Sequence, residues 1–145
     1  MLDINKEIKQ AMLDKDSVKL ASLRAVKSAV IMAQTEKGAS EMDEAGMQKI
    51  IQKQVKQRKD AAQIYIDQSR QDLADDEIAQ IKILEKFLPK QMDESEIKTI
   101  VEDVISSTGA ASMADMGKVM GLVNQKLAGK ADGKIIAQIV KATLA

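Results

Sequence analysis

The sequence MGKVMGLVNQKLAGKADGKIIAQIVK, residues 116–141, decides how the end of this chain folds. Apolar residues recur every three or four positions on both sides of GKADGK, residues 129–134. This spacing predicts two amphipathic helices joined by a turn. Turn geometry is the plain explanation of Gly129 and Gly133, because glycine takes left-handed backbone angles at little cost and helix C-caps often need them. Asp132 is expected to cap the start of the last helix.

Lysines make this end of the chain locally basic. From Ile105 onward there are five lysines and two acids, Asp115 and Asp132, so the local net charge is five less two, or +3, in a chain of zero net charge. Two explanations are open: solvated surface lysines, or contacts to nucleic-acid phosphates with release of counterions. Backbone amides at the start of the last helix could also accept a phosphate. The candidate contacts are Lys118, Lys126, Gly129, Lys130, Gly133, Lys134 and Lys141.

Helical periodicity continues outward from this stretch and predicts an all-α protein with no strand. The predicted helices cover residues 3–13, 17–37, 44–68, 75–88, 94–107, 115–127 and 133–143. Pro89 stops the fourth helix, because proline disfavours a helical conformation in the residue before it. The boundary is therefore placed there: a multihelical N-terminal bundle over residues 1–89, and a small three-helix C-terminal domain over residues 90–145.

Composition excludes the usual catalytic sites. The chain has no histidine and no cysteine. The common general base, the common metal ligand, disulfides and thiolate sites are therefore missing, and no catalytic residue, metal or cofactor is predicted. Tyr65 and Phe87 are the only aromatic residues, too few for a platform on which bases stack. No apolar run reaches membrane-spanning length and no signal pattern opens the chain, so we expect a cytoplasmic protein with no membrane contact.

Two further groups of basic residues have competing explanations. Lys49, Lys53 and Lys56 are spaced to line one stripe of the third helix. They are weaker candidates for nucleic-acid contact, since helix exteriors are commonly lysine-rich and Lys56 can pair with Asp60. Arg24 lies among apolar residues, and we expect it to be structural, pairing with a carboxylate between helices.

Four segments stand in order along the chain: LRAV with SA at 23–29, FLPKQ at 87–91, MGKVM at 116–120, and GKADGK at 129–134 leading to VK at 140–141. In these segments and their spacing the chain resembles the YqeY family over its whole length. That family is related to the C-terminal tail of GatB, a subunit of the tRNA-dependent amidotransferase. The resemblance implies a helical bundle followed by three helices. It also implies a link to tRNA, because the GatB tail is regarded as helping to hold tRNA while the ligase chemistry, with glutamine as amide donor, lies in other domains.

Three functions follow as hypotheses. The first is an accessory module that binds tRNA and is linked to tRNA-dependent amidation, without its own active site. The second is a protein–protein adaptor that uses an exposed apolar face or the methionines Met113, Met116 and Met120, which otherwise fill the core. The third is an enzyme acting on misacylated tRNA, ranked last because histidine and cysteine are absent. The sequence leaves the oligomeric state open.

Overall fold

The computed structural model describes residues 2–36, 38 and 41–145, and in these the protein is all-α with no strand. Among the described residues there are seven α-helices, and one short 3-10 helix, Met113–Asp115, precedes the sixth. The α-helices are α1 (Ile4–Leu13), α2 (Ser17–Glu36), α3 (Glu44–Asp67), α4 (Gln71–Glu85), α5 (Glu94–Thr108), α6 (Met116–Lys126) and α7 (Gly133–Leu144). The predicted fold class is confirmed. The predicted end of the second helix at Lys37 lies outside the described residues.

The chain divides into two compact units, Met1–Pro89 and Lys90–Ala145. Each unit has its own hydrophobic core, as a domain requires. Independent folding of residues 1–89 and 90–145 stays a prediction. No helix in the described part of the chain has the length and hydropathy needed to span a bilayer.

Helices α1 to α4 form the N-terminal unit, in which α3 and α4 pack along each other and α2 packs against both. Their apolar stripes meet in one core, which includes Val26, Ile51 and Leu84. Ser22 is a buried polar residue there, and its hydroxyl donates to the carbonyl of Val18 at 2.9 Å. This bond satisfies the hydroxyl, which would otherwise destabilise the core.

Helices α5, α6 and α7 form the C-terminal unit and contact one another pairwise. Valines and isoleucines at helical spacing make the core, with Leu127 and Ala131 from the connection after α6 completing it. Leu127 is 1% exposed. The connection between α6 and α7 is therefore anchored in the core at both of these residues, while its polar residues stay outside.

Helix α4 is where the predicted bounds, 75–88, were wrong. The helix begins four residues earlier, at Gln71, because Ala74 is fully buried and holds the first turn against the unit. It ends at Glu85 because the amides of Phe87 and Leu88 bond to carbonyls three residues back, a tighter turn than the α-helix. Three residues thus separate the end of α4 from Pro89, the residue expected to stop the helix.

Candidate nucleic-acid interface

The connection between α6 and α7, residues 127–132, is a turn with a defined hydrogen-bond pattern. Gly129 has φ +75°, in the left-handed region. The amide of Lys130 donates to the carbonyl of Leu127 at 2.9 Å. Glycine is suited to this position because a Cβ would strain the left-handed backbone. We call residues 127–132 the glycine turn.

Asp132 occupies the N-cap of α7, where its carboxylate accepts the amide of Lys134 at 2.8 Å. Gly133 is the first residue of α7 and is not among the described glycines with positive φ, so left-handed geometry does not explain it. A Cβ on Gly133 would meet no atom within 4 Å. The cap also counts against the prediction that backbone amides at the start of α7 accept a phosphate. A carboxylate already bonds the Lys134 amide, and its negative charge would repel a phosphate there.

Two residues from the start of the C-terminal unit fasten onto the glycine turn. The Gln91 side-chain amide donates to the carbonyl of Gly129 at 2.8 Å. The backbone amide of Met92 donates to the carbonyl of Lys130 at 2.9 Å. We call these two bonds the clasp. It joins two segments, FLPKQ and GKADGK, that lie about forty residues apart in the sequence.

All five predicted lysines of the C-terminal unit are exposed, and none forms an ion pair with a residue that the structure describes. We call Lys118, Lys126, Lys130, Lys134 and Lys141 the C-terminal lysine set. Three of them lie within or close to the glycine turn: Lys126 ends α6, Lys130 is in the turn and Lys134 is the second residue of α7. Lys134 and Lys141 lie seven residues apart on α7 and so share a face. Apart from the electrostatic attraction between Lys118 and Asp115, the set is therefore open to an external anion.

The lysine stripe on α3 belongs to the other compact unit. Lys49, Lys53 and Lys56 are exposed along the helix. Two cations further along α3 have partners: Lys59 lies 3.5 Å from the Glu85 carboxylate, and Arg58 donates to the Gln80 side chain at 2.8 Å. Burial lowers the pKa of Arg58. These two residues tie α3 to α4.

Arg24 does not pair as predicted. Its side chain is exposed on α2, and it has no hydrogen bond or ion pair with any residue that the structure describes. Leu23 and Val26 beside it are fully buried. The neighbours on the sequence misled the prediction, because adjacent helical residues point about 100° apart around the axis and do not share a face.

The shifted carboxyl groups are not suited to act as bases near neutral pH. The side-chain hydrogen bond from Arg70 lowers the pKa of Asp72. Backbone amides of Ala111 and then Ser112 lower the pKa of Asp115. A general base in this range needs a raised carboxyl pKa. Within the described residues, no three acidic side chains are grouped so that they could hold a metal ion.

The methionines of the C-terminal unit mostly pack inward. Met116 and Met120 are partly buried against the core, and Met113 is 42% exposed. Large exposed apolar residues are instead concentrated in the N-terminal unit: Met12, Leu13, Val18, Ile31, Met32, Ile64 and Ile66. The adaptor hypothesis therefore points to the N-terminal unit.

Fold and site together define an all-helical protein of two compact units, the second of which carries unpaired lysines around a capped turn. The chain belongs to the YqeY family, since the family described as Yqey-like protein matches residues 2–144. The expected membership is confirmed.

Similar proteins come from yeasts and are named "Altered inheritance of mitochondria protein 41, mitochondrial". The protein from Vanderwaltozyma polyspora is 28% identical over 123 residues, covering 80% of this chain and 66% of the relative. The one from Kluyveromyces lactis is 25% identical, covering 85% and 68%. The one from Clavispora lusitaniae is 29% identical, covering 84% and 72%. The chain thus spans about two thirds of the length of these relatives, and just under that for the first.

The prediction of a cytoplasmic location is wrong by this comparison, because the names of these relatives place them in mitochondria. The prediction rested on the absence of a signal pattern and of a long apolar run, and neither feature distinguishes between compartments inside a cell.

Proposed function

We propose that this chain is an accessory module that binds the phosphate backbone of a folded RNA, tRNA first among them, through the C-terminal lysine set. The observation that carries the proposal is that all five lysines are exposed and form no ion pair with a described residue, on one unit of a chain whose net charge is zero. Three of them lie within or close to a turn that is anchored by Leu127 and the clasp. Lysines on a fixed backbone lose less conformational freedom on binding than lysines on a loose loop.

The binding mode is neutralisation of phosphates. Each lysine that contacts a phosphate releases a condensed counterion, so affinity falls steeply as salt rises. Recognition relies on backbone and shape, because two aromatic residues cannot form a stacking platform. The link to tRNA-dependent amidation rests on the resemblance to the GatB tail. In that role the chain holds tRNA and leaves the ligase chemistry to a partner enzyme.

The test is a charge reversal at the glycine turn. The double variant Lys130→Glu/Lys134→Glu changes the local charge by four units, and we expect unfractionated tRNA to bind at least about 30-fold more weakly at ~50 mM salt. The matched control for each of the two single reversals is Lys98→Glu. Lys98 is exposed on α5 but has Glu94 and Glu102 one turn before and after it, so it attracts phosphate weakly. No binding of the wild-type chain to any folded RNA at low salt would remove the proposal.

A protein–protein adaptor is the second candidate, favoured by the apolar surface of the N-terminal unit. Ile31 and Met32 are adjacent on α2 and 52% and 63% exposed. Ile31 also lines an open cleft of about 630 Å³ whose floor includes Ile4, Val30 and Met47. A partner that docks at this cleft should be recovered by crosslinking after nuclease treatment and lost with Ile31→Glu. Loss of every partner after nuclease treatment would count against the adaptor and leave the RNA proposal standing.

A further inference from the structure

We propose that Lys90 is a sixth RNA contact, held beside the C-terminal lysine set by the clasp. The inference deepens the proposed function and rests on it. Sequence spacing gave no reason to group Lys90 with lysines some forty residues away. The grouping comes from two hydrogen bonds of the folded C-terminal unit.

The clasp fixes the backbone next to Lys90. Met92 donates its amide to the carbonyl of Lys130 at 2.9 Å, and its side chain packs against the core of the unit. Two residues span at most about 7 Å, so the Cα of Lys90 lies within about 7 Å of the Cα of Met92. The backbone of Lys90 therefore lies close to that of Lys130 and is held there by the clasp.

The charges around Lys90 are mixed, since Asp93, Glu94 and Glu96 follow it at the start of α5. Lys90 is exposed and forms no ion pair with a residue that the structure describes. Two nearby carboxylates cap helices: Asp93 accepts the amide of Glu96 at 2.8 Å, and Asp132 accepts the amide of Lys134 at 2.8 Å. Each cap holds its carboxylate against a helix start, which partly offsets the negative charge. Lys90 and Lys130 then place two cations from separate segments of the sequence close together.

Gln91 is a positioning residue in this arrangement. Its side-chain amide donates to the Gly129 carbonyl at 2.8 Å. The next carbonyl along the turn, that of Lys130, accepts the amide of Met92. Removing the Gln91 side-chain amide loosens the segment that carries Lys90 without changing any charge. Binding should weaken, while the number of phosphates contacted by the lysines stays the same.

The experiment measures tRNA affinity of the full chain across salt concentrations for Lys90→Gln, Lys90→Arg and Lys98→Gln. One lost phosphate contact lowers the salt slope by about 0.7 to 0.9 and affinity by roughly tenfold at ~50 mM salt and fivefold at ~150 mM. We expect these losses for Lys90→Gln, near-wild-type binding for Lys90→Arg, and little change for Lys98→Gln. For Gln91→Ala we expect about two- to threefold weaker binding with an unchanged slope.

The outcomes separate this inference from the function beneath it. If Lys90→Gln leaves affinity and slope unchanged while Lys130→Glu/Lys134→Glu weakens binding, Lys90 is not a contact and the proposed function stands. If Lys98→Gln loses as much as Lys90→Gln, the effect is one of total charge and the inference fails. If wild-type protein binds no folded RNA at low salt, both proposals fall.

Discussion

Asp132 gives an unusual prediction, because its carboxylate stabilises the fold and opposes the proposed ligand. It caps α7 by accepting the Lys134 amide at 2.8 Å, in the middle of the C-terminal lysine set. Asparagine caps helices about as well as aspartate, so Asp132→Asn should change the free energy of unfolding by less than about 0.5 kcal/mol. It removes one negative charge, which raises the local net charge from +3 by one unit.

The gain in RNA affinity can be worked from Coulomb's law. A carboxylate about 8 Å from a phosphate repels it by roughly 0.5 kcal/mol in water. With one or two phosphates in reach, Asp132→Asn should bind tRNA about two- to fivefold more tightly at ~10 mM salt. At ~150 mM the Debye length is about 8 Å, so the gain should fall below about twofold.

The assay pairs a tRNA-binding titration with chemical denaturation. Asp43→Asn is the matched control, since Asp43 caps α3 in the N-terminal unit by accepting the Gly46 amide at 2.7 Å. Unchanged or weaker binding by a fully folded Asp132→Asn protein at low salt would refute the placement of phosphates near the glycine turn. An equal gain for Asp43→Asn would assign the effect to net charge.

Three further predictions concern stability. Gly129→Ala should lower the free energy of unfolding by about 1–2 kcal/mol, because Gly129 has φ +75°. Gly133→Ala should be neutral or slightly stabilising, because that helical position has open space around it. Equal losses of stability in denaturation would contradict this. Leu127→Ala should destabilise the C-terminal unit by about 2–5 kcal/mol, because Leu127 is buried. If residues 90–145 are an independent domain, hydrogen exchange in the N-terminal unit should be unchanged. Faster exchange in both units would count against separate domains. The pKa of Asp115 is lowered in the folded state, so this carboxylate contributes stability above its unfolded pKa near 3.9, and the contribution is lost as pH falls through the folded value. The stability advantage of wild type over Asp115→Asn should therefore vanish in acid. An advantage independent of pH would show another origin.

Helical periodicity predicted the fold class because almost every element here has a one-sided apolar stripe. Asp43, Asp93 and Asp132 each accept an amide at the start of a helix, and these local caps can be recognised from residue type and spacing. The start of α4 could not be recognised in this way. Arg70 provides no side-chain cap there, and the burial of Ala74, a tertiary effect, sets the bound.

The site was predictable where it is local and missed where it is long-range. Residues 126–134 are neighbours along the chain, so their lysines could be grouped from sequence alone. Lys90 joins them through the clasp, which no periodicity reveals. Arg24 shows the opposite error, in which apolar neighbours on the sequence suggested a buried pair at an exposed position.

The most direct test of the central claim is the salt dependence of tRNA binding by the wild-type chain. If up to five exposed lysines contact phosphates, a plot of log affinity against log salt should fall with a slope between about −2 and −5. The slope should become shallower by about 1.4 to 1.8 in Lys130→Gln/Lys134→Gln, which removes two contacts. A flat plot, or the same slope in the double variant, would contradict the claim that the C-terminal lysine set binds RNA.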